Sequence, residues 1–424
     1  MTNGVALAVR VPGDKSISHR ALICAALANG RSRIRNILPS ADVHSTAGVL
    51  RALGVAMPPL SPVMRVDGLG LGGLRAPASA LDCGNSGTTA RLMSGVLSGH
   101  AFSARLVGDE SLSRRPMARV AKPLTAMGAS FAFDAGEHLP MVVTGGALRP
   151  IAWSNSTSSA QVKSAILFAG LVGRVPVSVA EPVRSRDHTE RMLAALGVEL
   201  RSCGGEAALS PGTELSSFQL DVPADPSSAA FLAALAAAGG VANGGALQLT
   251  DVALNPTRLG FFRVLREMGA DVRWETEREE CGEPVGAITV TPAQLTGVAI
   301  GAGQVPAMID ELPLLACLAT QAAGETVIRG ASELRVKESD RIAAVVQNLR
   351  TVGAEADELP DGLTVRGAPG SALGGRIRAH GDHRLAMGFG VLGALSGAAI
   401  EIDDRDCVSV SYPGFWSDLA RVTA

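Results

Sequence analysis

The chain has 424 residues, of which 47% are hydrophobic, 18% charged and only 3% aromatic. That composition excludes a disordered chain and leaves Ala, Leu and Val to fill a large core, divided by length among two or three domains. A formal net charge of −2 excludes a general nucleic-acid or membrane-surface binder, though not a local basic pocket.

At the N-terminus, MTNGVALAVRVPGDK has no charged segment followed by a long apolar run, so no signal peptide is expected. Cys24, Cys83, Cys203, Cys281, Cys317 and Cys407 form no CxxC pair and read as small hydrophobes in a reducing cytoplasm. The most apolar stretch, Ala229 to Ala238, is too short to span a bilayer and ends in Gly239-Gly240.

A repeat runs through the chain. Leu53-Gly54-Val55, Met127-Gly128-Ala129, Leu196-Gly197-Val198, Met268-Gly269-Ala270 and Val352-Gly353-Ala354 each close a helix-like segment, and each has a Leu three residues before its first member. The glycines lie 74, 69, 72 and 84 residues apart. Glycine takes the left-handed conformation of a helix C-terminus at little cost, and a strand-like run follows each copy. Five copies at near-constant spacing indicate a repeated unit of roughly 70 residues, about six in all with a degenerate C-terminal copy. Units of this size predict α/β domains, with helices inside and sheets outside or the reverse. Ala90–Leu97, Val162–Leu171 and Ala229–Ala238 are apolar nearly all round and predict buried helices. Two prolines in Val222-Pro223-Ala224-Asp225-Pro226 predict a crossover, with Asp225 capping the next helix.

Candidate sites follow in chain order. Gly13-Asp14-Lys15-Ser16-Ile17-Ser18-His19-Arg20 opens an apolar helix, where free N–H groups, the dipole and side-chain cations all favour an anion. Ser16 and Arg20 are four apart and share a face; the Walker spacing is missing. Asp82-Cys83-Gly84-Asn85-Ser86-Gly87-Thr88-Thr89-Ala90-Arg91 places a glycine where a ligand can approach the backbone. Ser113-Arg114-Arg115-Pro116 offers a carboxylate or phosphate clamp. Ser154 to Ser164 is a hydroxyl-rich helix entry, suited to capping or to a polyhydroxy ligand. Arg184-Ser185-Arg186-Asp187-His188 precedes another helix; its His-Asp pair has no nucleophile elbow beside it. Asp310 stands at an expected helix start, and Glu338 lies among cations in Arg335-Val336-Lys337-Glu338-Ser339-Asp340-Arg341, where a helix would put Lys337 and Arg341 on one face. His380-Gly381-Asp382-His383-Arg384 has no second His or Cys set to complete a metal site.

Each segment alone is compatible with an ordinary capped helix or solvated turn. Together they place Lys15, Arg20, Arg115, Arg186, Lys337, Arg341 and Arg384 at helix beginnings or loops of successive repeats. Cations arranged so in a neutral protein predict ligands with more than one acidic group.

GDKSISHRA, GNSGTTAR, GDESLSRRPM, SSAQVKSA, SRDHTERM, RVKESDRI and GDHRLAM occur in this order. The set resembles the signature of the 5-enolpyruvylshikimate-3-phosphate synthase (3-phosphoshikimate 1-carboxyvinyltransferase) family, and the likeness runs from about residue 10 to 415. The SAQ and RDHTE forms look like the subgroup called class II. The resemblance implies a two-domain inside-out α/β barrel of six βαβαββ repeats, three per domain. Residues 12–224 would form the first domain, and 1–11 with 225–424 the second, with ligands in the cleft between them and closure assembling the site.

The implied reaction belongs to the shikimate pathway of aromatic amino-acid biosynthesis. The 5-hydroxyl of shikimate-3-phosphate attacks C2 of phosphoenolpyruvate while C3 is protonated, and the tetrahedral ketal then loses phosphate. The resemblance implies no metal or organic cofactor, no nucleic-acid or membrane partner, and a monomer. By the same resemblance, Lys15, Ser16, Arg20, Ser158, Ser159, Gln161, Arg186, Asp310 and Lys337 would bind shikimate-3-phosphate. Lys15, Asn85, Gly87, Arg115, Gln161, Arg341 and Arg384 would bind phosphoenolpyruvate. Asp310 would accept the hydroxyl proton, Glu338 would give a proton to C3 and later take one back, and Lys15 would touch both substrates. Glyphosate occupies the phosphoenolpyruvate site in this family, and Gly87 stands where sensitive members have glycine.

One position departs from the pattern. Many members carry a lysine three residues before the C-terminal proline, where Cys407-Val408-Ser409-Val410-Ser411-Tyr412-Pro413 has Val410 on an expected strand. One phosphoenolpyruvate cation is therefore expected to be missing. Two other readings compete. A UDP-N-acetylglucosamine enolpyruvyl transferase shares the fold but has Lys-Asn in the first motif and a loop cysteine; Cys83 precedes the GNSGT turn. A non-catalytic anion-binding protein of the same fold would be expected to lose Asp310, Glu338 or Lys15, and all three are present.

Overall fold

Gly54, Gly128, Gly197, Gly269 and Gly353 have φ between 88° and 117°, a region that side chains with a Cβ rarely enter. The leucine four residues before each glycine accepts a hydrogen bond from the amide just after it. These bonds run from Val55 to Leu50, Ala129 to Leu124, Val198 to Leu193, Ala270 to Leu265 and Ala354 to Leu349, at 2.9–3.1 Å. This closure satisfies a carbonyl orphaned at the helix end and turns the chain toward the next strand. The sequence repeat is thus a helix stop repeated five times.

The computed structural model describes residues 6–424 except 211, 213 and 398. Residues 1–5 of the expected N-terminal arm lie outside the described residues. Contacts divide the chain into two units. One holds Gly13–Val222 with Glu280–Glu283; the other holds the segment up to Pro12, Pro223–Glu279 and Pro284–Ala424. Glu280–Glu283 is the tip of the hairpin made by strands Asp271–Glu280 and Glu283–Thr291. It is held in the first unit by His188 Nδ1 and Glu283 Oε1, 2.7 Å apart, and by Arg191, which donates to the Gly282 carbonyl at 2.9 Å.

Four sheets repeat one plan. In the first, Leu81–Asp82 runs parallel to Ser103–Val107, which pairs antiparallel with Met141–Thr144, and that with Ser130–Phe133. Among the described residues, a strand from elsewhere completes two of the six sheets. Gln219–Asp221 runs parallel to Asn29–Arg35, and Leu7–Val9 runs parallel to Leu247–Ala253 with Leu7 opposite Leu247. Two copies are reduced: Asn29–Arg35 lies in a three-stranded sheet, and Gly375–Ile377 pairs with Ile400–Ile402 alone.

Each unit keeps helices inside and sheets outside. Helices Lys15–Leu27, Gly87–Ser98 and Ala160–Gly173 are buried nearly all round in the first unit. Pro226–Ala237, Leu312–Ala319 and His383–Ser396 are their counterparts in the second. With few aromatics, these helices approach closely on small residues. A Cβ on Gly95 would lie 2.1 Å from the Ala165 carbonyl oxygen, so only glycine fits that contact. All twelve residues of Pro226–Ala237 are buried, which makes its leucines and Phe231 worth about 1.5–3 kcal/mol each. Asp225 caps this helix, accepting from the Ser227 amide at 2.8 Å. No described helix is long and apolar enough to cross a membrane.

Candidate active site

In the first unit, the buried helices begin at the sequence motifs. Asp14 caps helix Lys15–Leu27, accepting from Ile17 N at 2.8 Å, and Ser86 caps Gly87–Ser98, accepting from Thr89 N at 3.1 Å. Such helix starts carry partial positive charge. Lys15 Nζ lies 3.0 Å from Asp42. Arg20 is buried and donates to Thr189 Oγ1 at 2.7 Å, the Ser16 carbonyl at 2.9 Å and Ser164 Oγ at 2.8 Å. All three acceptors are neutral. Burial pushes this guanidinium's pKa down, against the pull of Glu190 and Asp14. A buried cation without a paired carboxylate suits an anionic ligand.

Hydrogen bonds join the motifs. His19 Nδ1 and Thr46 Oγ1 are 2.6 Å apart, Thr46 and Thr89 hydroxyls 2.6 Å, and Thr89 Oγ1 donates to Ser86 Oγ at 2.8 Å. Burial, then Lys15 and Arg20, holds His19 well below the usual histidine pKa, so it is neutral. Arg91 donates to Gln161 Oε1 at 2.7 Å, and Gln161 donates to Thr88 at 3.0 Å. Arg115 donates to Asn85 Oδ1 at 2.7 Å, and Asn85 donates to Asp109 at 2.7 Å. Gly87 faces this group: a Cβ there would lie 2.8 Å from Arg91 Nη1 and 3.6 Å from Arg115 Nη1. Ser159 precedes helix Ala160–Gly173, and Ser158 holds a left-handed φ of 49° while accepting from Val183 N at 3.2 Å. Arg186 lies half-buried between strand Val177–Ala180 and helix His188–Ala195.

The second unit gathers Asp310, Lys337, Glu338 and Arg341 around one guanidinium. Arg341 donates to Asp382 through Nε at 2.8 Å and Nη2 at 3.1 Å, to Glu338 Oε2 at 2.7 Å, and reaches Asp310 Oδ1 at 3.5 Å. Burial opposes this charge, but Asp382, Glu338 and Asp310 outweigh it and raise the pKa. Lys337 Nζ stands 3.8 Å from Asp310. Arg384 is buried, 3.7 Å from Glu311 and over the Phe231 ring at 5.8 Å.

The structure changes two local expectations and keeps a third. Ser332–Val336 is a 3-10 turn and the α-helix begins at Arg341, capped by Asp340, so Lys337 and Arg341 share no helical face. The cap forces this break, and the turn between brings Glu338 back onto Arg341. Asp310 stands at a helix start as expected, two residues before Leu312–Ala319. Val410 ends a 3-10 helix, Asp406–Val410, in place of the expected strand. Sequence reasoning passed over Arg91 and Asp382. Both stand inside the quoted motifs, but only their partners reveal them. Among the described residues no group of three His, Cys, Asp or Glu could hold a metal ion. Asp382 of the HGDH segment is committed to Arg341 and to Ser339, whose hydroxyl donates at 3.0 Å. Cys83 is fully buried and burial pushes its thiol pKa up, which removes it as a loop nucleophile.

The fold matches that of an enolpyruvyl transferase from Streptomyces tendae, with a TM-score of 0.76 at 19% identity over 99% of this chain and 95% of that one. The class is therefore the enolpyruvyl transferase fold. The family model for EPSP synthase (3-phosphoshikimate 1-carboxyvinyltransferase) matches residues 2–419. A 3-phosphoshikimate 1-carboxyvinyltransferase of Sulfurihydrogenibium sp. (strain YO3AOP1) is 49% identical over 420 residues, 98% of this chain and 96% of the relative. An EPSP synthase structure from Acinetobacter baumannii superposes with a TM-score of 0.84 at 40% identity, over 98% of this chain and 95% of that one. The chain belongs to the EPSP synthase family.

Proposed function

We propose that this enzyme transfers the enolpyruvyl group of phosphoenolpyruvate to the 5-hydroxyl of shikimate-3-phosphate and releases phosphate. Family membership supports the reaction, in preference to the cell-wall and the non-catalytic alternatives. The observation that carries the site assignment is the cluster in which Arg341 holds Glu338 and Asp310 together, with Lys337 beside Asp310. Two carboxylates beside fixed cations match a reaction that moves one proton off oxygen and one onto carbon, then one back.

In this reading the cations of the first unit and the carboxylates of the second act on one pair of substrates. Ser16, Arg20, Ser158, Ser159, Gln161 and Arg186 hold shikimate-3-phosphate, and Lys15 touches both ligands. Asn85, Gly87, Arg115, Gln161, Arg341 and Arg384 bind phosphoenolpyruvate. Asp310 takes the proton of the 5-hydroxyl as its oxygen bonds to C2. Glu338 gives a proton to C3, making a methyl group. Glu338 then removes a methyl proton as the C2–phosphate bond breaks, which restores the double bond and frees phosphate, and the proton taken by Asp310 leaves with that phosphate. Fixed donors around the phosphate and carboxylate stabilise the charge that develops. Val410 leaves those duties to Arg115, Arg341 and Arg384. The six free cysteines support a reducing compartment such as the cytoplasm; the SAQ and RDHTE forms support the class II subgroup. The test is phosphate release in purified protein. It must need both substrates together and yield the enolpyruvyl ether by mass spectrometry; release from phosphoenolpyruvate alone contradicts the reading.

A further inference from the structure

Lys163 and Glu181 have no part in the proposed reaction, yet they are among the most enclosed charged groups of the first unit. Lys163 Nζ lies 2.9 Å from Glu181 Oε2 and 2.8 Å from Glu190 Oε1, with the three side chains 3%, 1% and 3% exposed. Glu181 has further partners. Asn155 Nδ2 donates to it at 2.8 Å, the Ser185 amide at 3.1 Å and the Ser185 hydroxyl at 2.8 Å. The same Asn155 amide group donates to the Ser159 carbonyl at 3.0 Å, and Asn155 O accepts from Ser158 N at 2.9 Å. From the other side, Val183 N donates to Ser158 Oγ at 3.2 Å. One buried carboxylate therefore ties two loops together: the one carrying Ser158 and Ser159, and the one leading to Arg186.

Burying three charges is costly, and apolar side chains of similar size commonly serve stability as well or better. Ser158 adds backbone strain, with a non-glycine residue in the left-handed region. Strain and buried charge at one place fit a part whose geometry matters more than its stability. We propose that Glu181, seated on Lys163, is a positioning residue that sets the spacing of Ser158, Ser159 and Arg186 for the phosphorylated substrate. This rests on the assignment of those three residues to shikimate-3-phosphate given above.

The test uses the full-length protein and three variants: Ser185→Ala, Glu181→Gln, and the apolar replacement Lys163→Met/Glu181→Leu/Glu190→Leu. Shikimate-3-phosphate affinity is read by calorimetry, phosphoenolpyruvate KM and kcat by phosphate release, and folding by thermal melting. Ser185→Ala keeps a near wild-type Tm and weakens shikimate-3-phosphate about threefold, and Glu181→Gln weakens it about tenfold or more. In both, KM for phosphoenolpyruvate stays close to the wild-type value. The apolar triple variant matches or exceeds wild-type Tm and still binds shikimate-3-phosphate weakly. Three results overturn the proposal: wild-type affinity in folded Glu181→Gln, affinity that recovers with Tm in the triple variant, or equal weakening toward both substrates. A wild type that turns over while the variants bind normally sinks only this proposal. A wild type that releases no phosphate sinks the underlying functional reading.

Discussion

Arg341 and Asp382 meet fork to fork, Nε donating to Oδ2 at 2.8 Å and Nη2 to Oδ1 at 3.1 Å. Both are buried, and the same carboxylate accepts from the Arg384 amide at 3.0 Å as the cap of helix His383–Ser396. Bidentate pairing fixes the plane of the guanidinium as well as its place. Asp382 thus aims Arg341 and starts the helix that carries Arg384.

Removing that carboxylate leaves a buried guanidinium short of one partner. Asp382→Ala should destabilise the protein by about 3 kcal/mol, at the low end for a broken buried pair because Glu338 and Asp310 remain. It should also raise KM for phosphoenolpyruvate more than KM for shikimate-3-phosphate. Denaturant midpoints and steady-state kinetics check both; a stability change within about 0.5 kcal/mol counts against the pairing.

Gly87→Ala tests the proposed wall of the phosphoenolpyruvate site. The added methyl would lie 2.8 Å from Arg91 Nη1, which donates to Gln161, while Nη2 of the same guanidinium donates to the Pro116 carbonyl. Arg91 must shift and carry Gln161 with it, at an overpacking cost of about 1–3 kcal/mol. Both anions should bind less well, and glyphosate, the longer, should lose more. Competitive inhibition assays should show the glyphosate inhibition constant rising more than KM for phosphoenolpyruvate. An alanine variant that binds glyphosate as tightly as the wild type refutes the steric account.

His19 makes stability depend on pH. Burial and the neighbouring Lys15 and Arg20 lower its folded-state pKa well below the unfolded value. Between those two values the unfolded chain binds a proton that the folded chain does not. Stability is therefore full above the unfolded pKa and is lost as pH falls below it toward the folded pKa. The slope approaches about 1.4 kcal/mol per pH unit for this one group from about pH 6.5 downward. His19→Asn should show a shallower loss between about pH 6.5 and 5 than the wild type. Identical slopes in urea titrations would mean that His19 is protonated in the folded protein.

The helix stops were legible in the sequence because a left-handed helix end demands glycine and little else does the job. The Leu four residues before each glycine was legible for a different reason: its side chain is fully buried in every copy, where the helix end meets the core. The motif order carried the residues proposed to bind the anions, since cations at helix starts follow from local chemistry. Contacts between distant segments were not legible. Asp382 pairs with a residue 41 positions away and Glu283 with one 95 away. Neither pairing leaves a periodic trace. Leu7–Val9 is too short to announce which sheet it joins. The break before Arg341 escaped because Lys337, Glu338 and Arg341 stand at helical spacing, while the decisive signal was the cap at Asp340.

In the proposed reaction Asp310 and Glu338 move the protons of an enolpyruvyl transfer while Arg341 holds both. The most direct measurement is phosphate release at saturating shikimate-3-phosphate and phosphoenolpyruvate for the wild type, Asp310→Asn and Glu338→Gln, with melting curves alongside. Each variant should lose about 10²–10⁴-fold in kcat, the range typical of a lost general acid or base, and keep a Tm close to wild type. Near wild-type turnover in both folded variants would contradict the account.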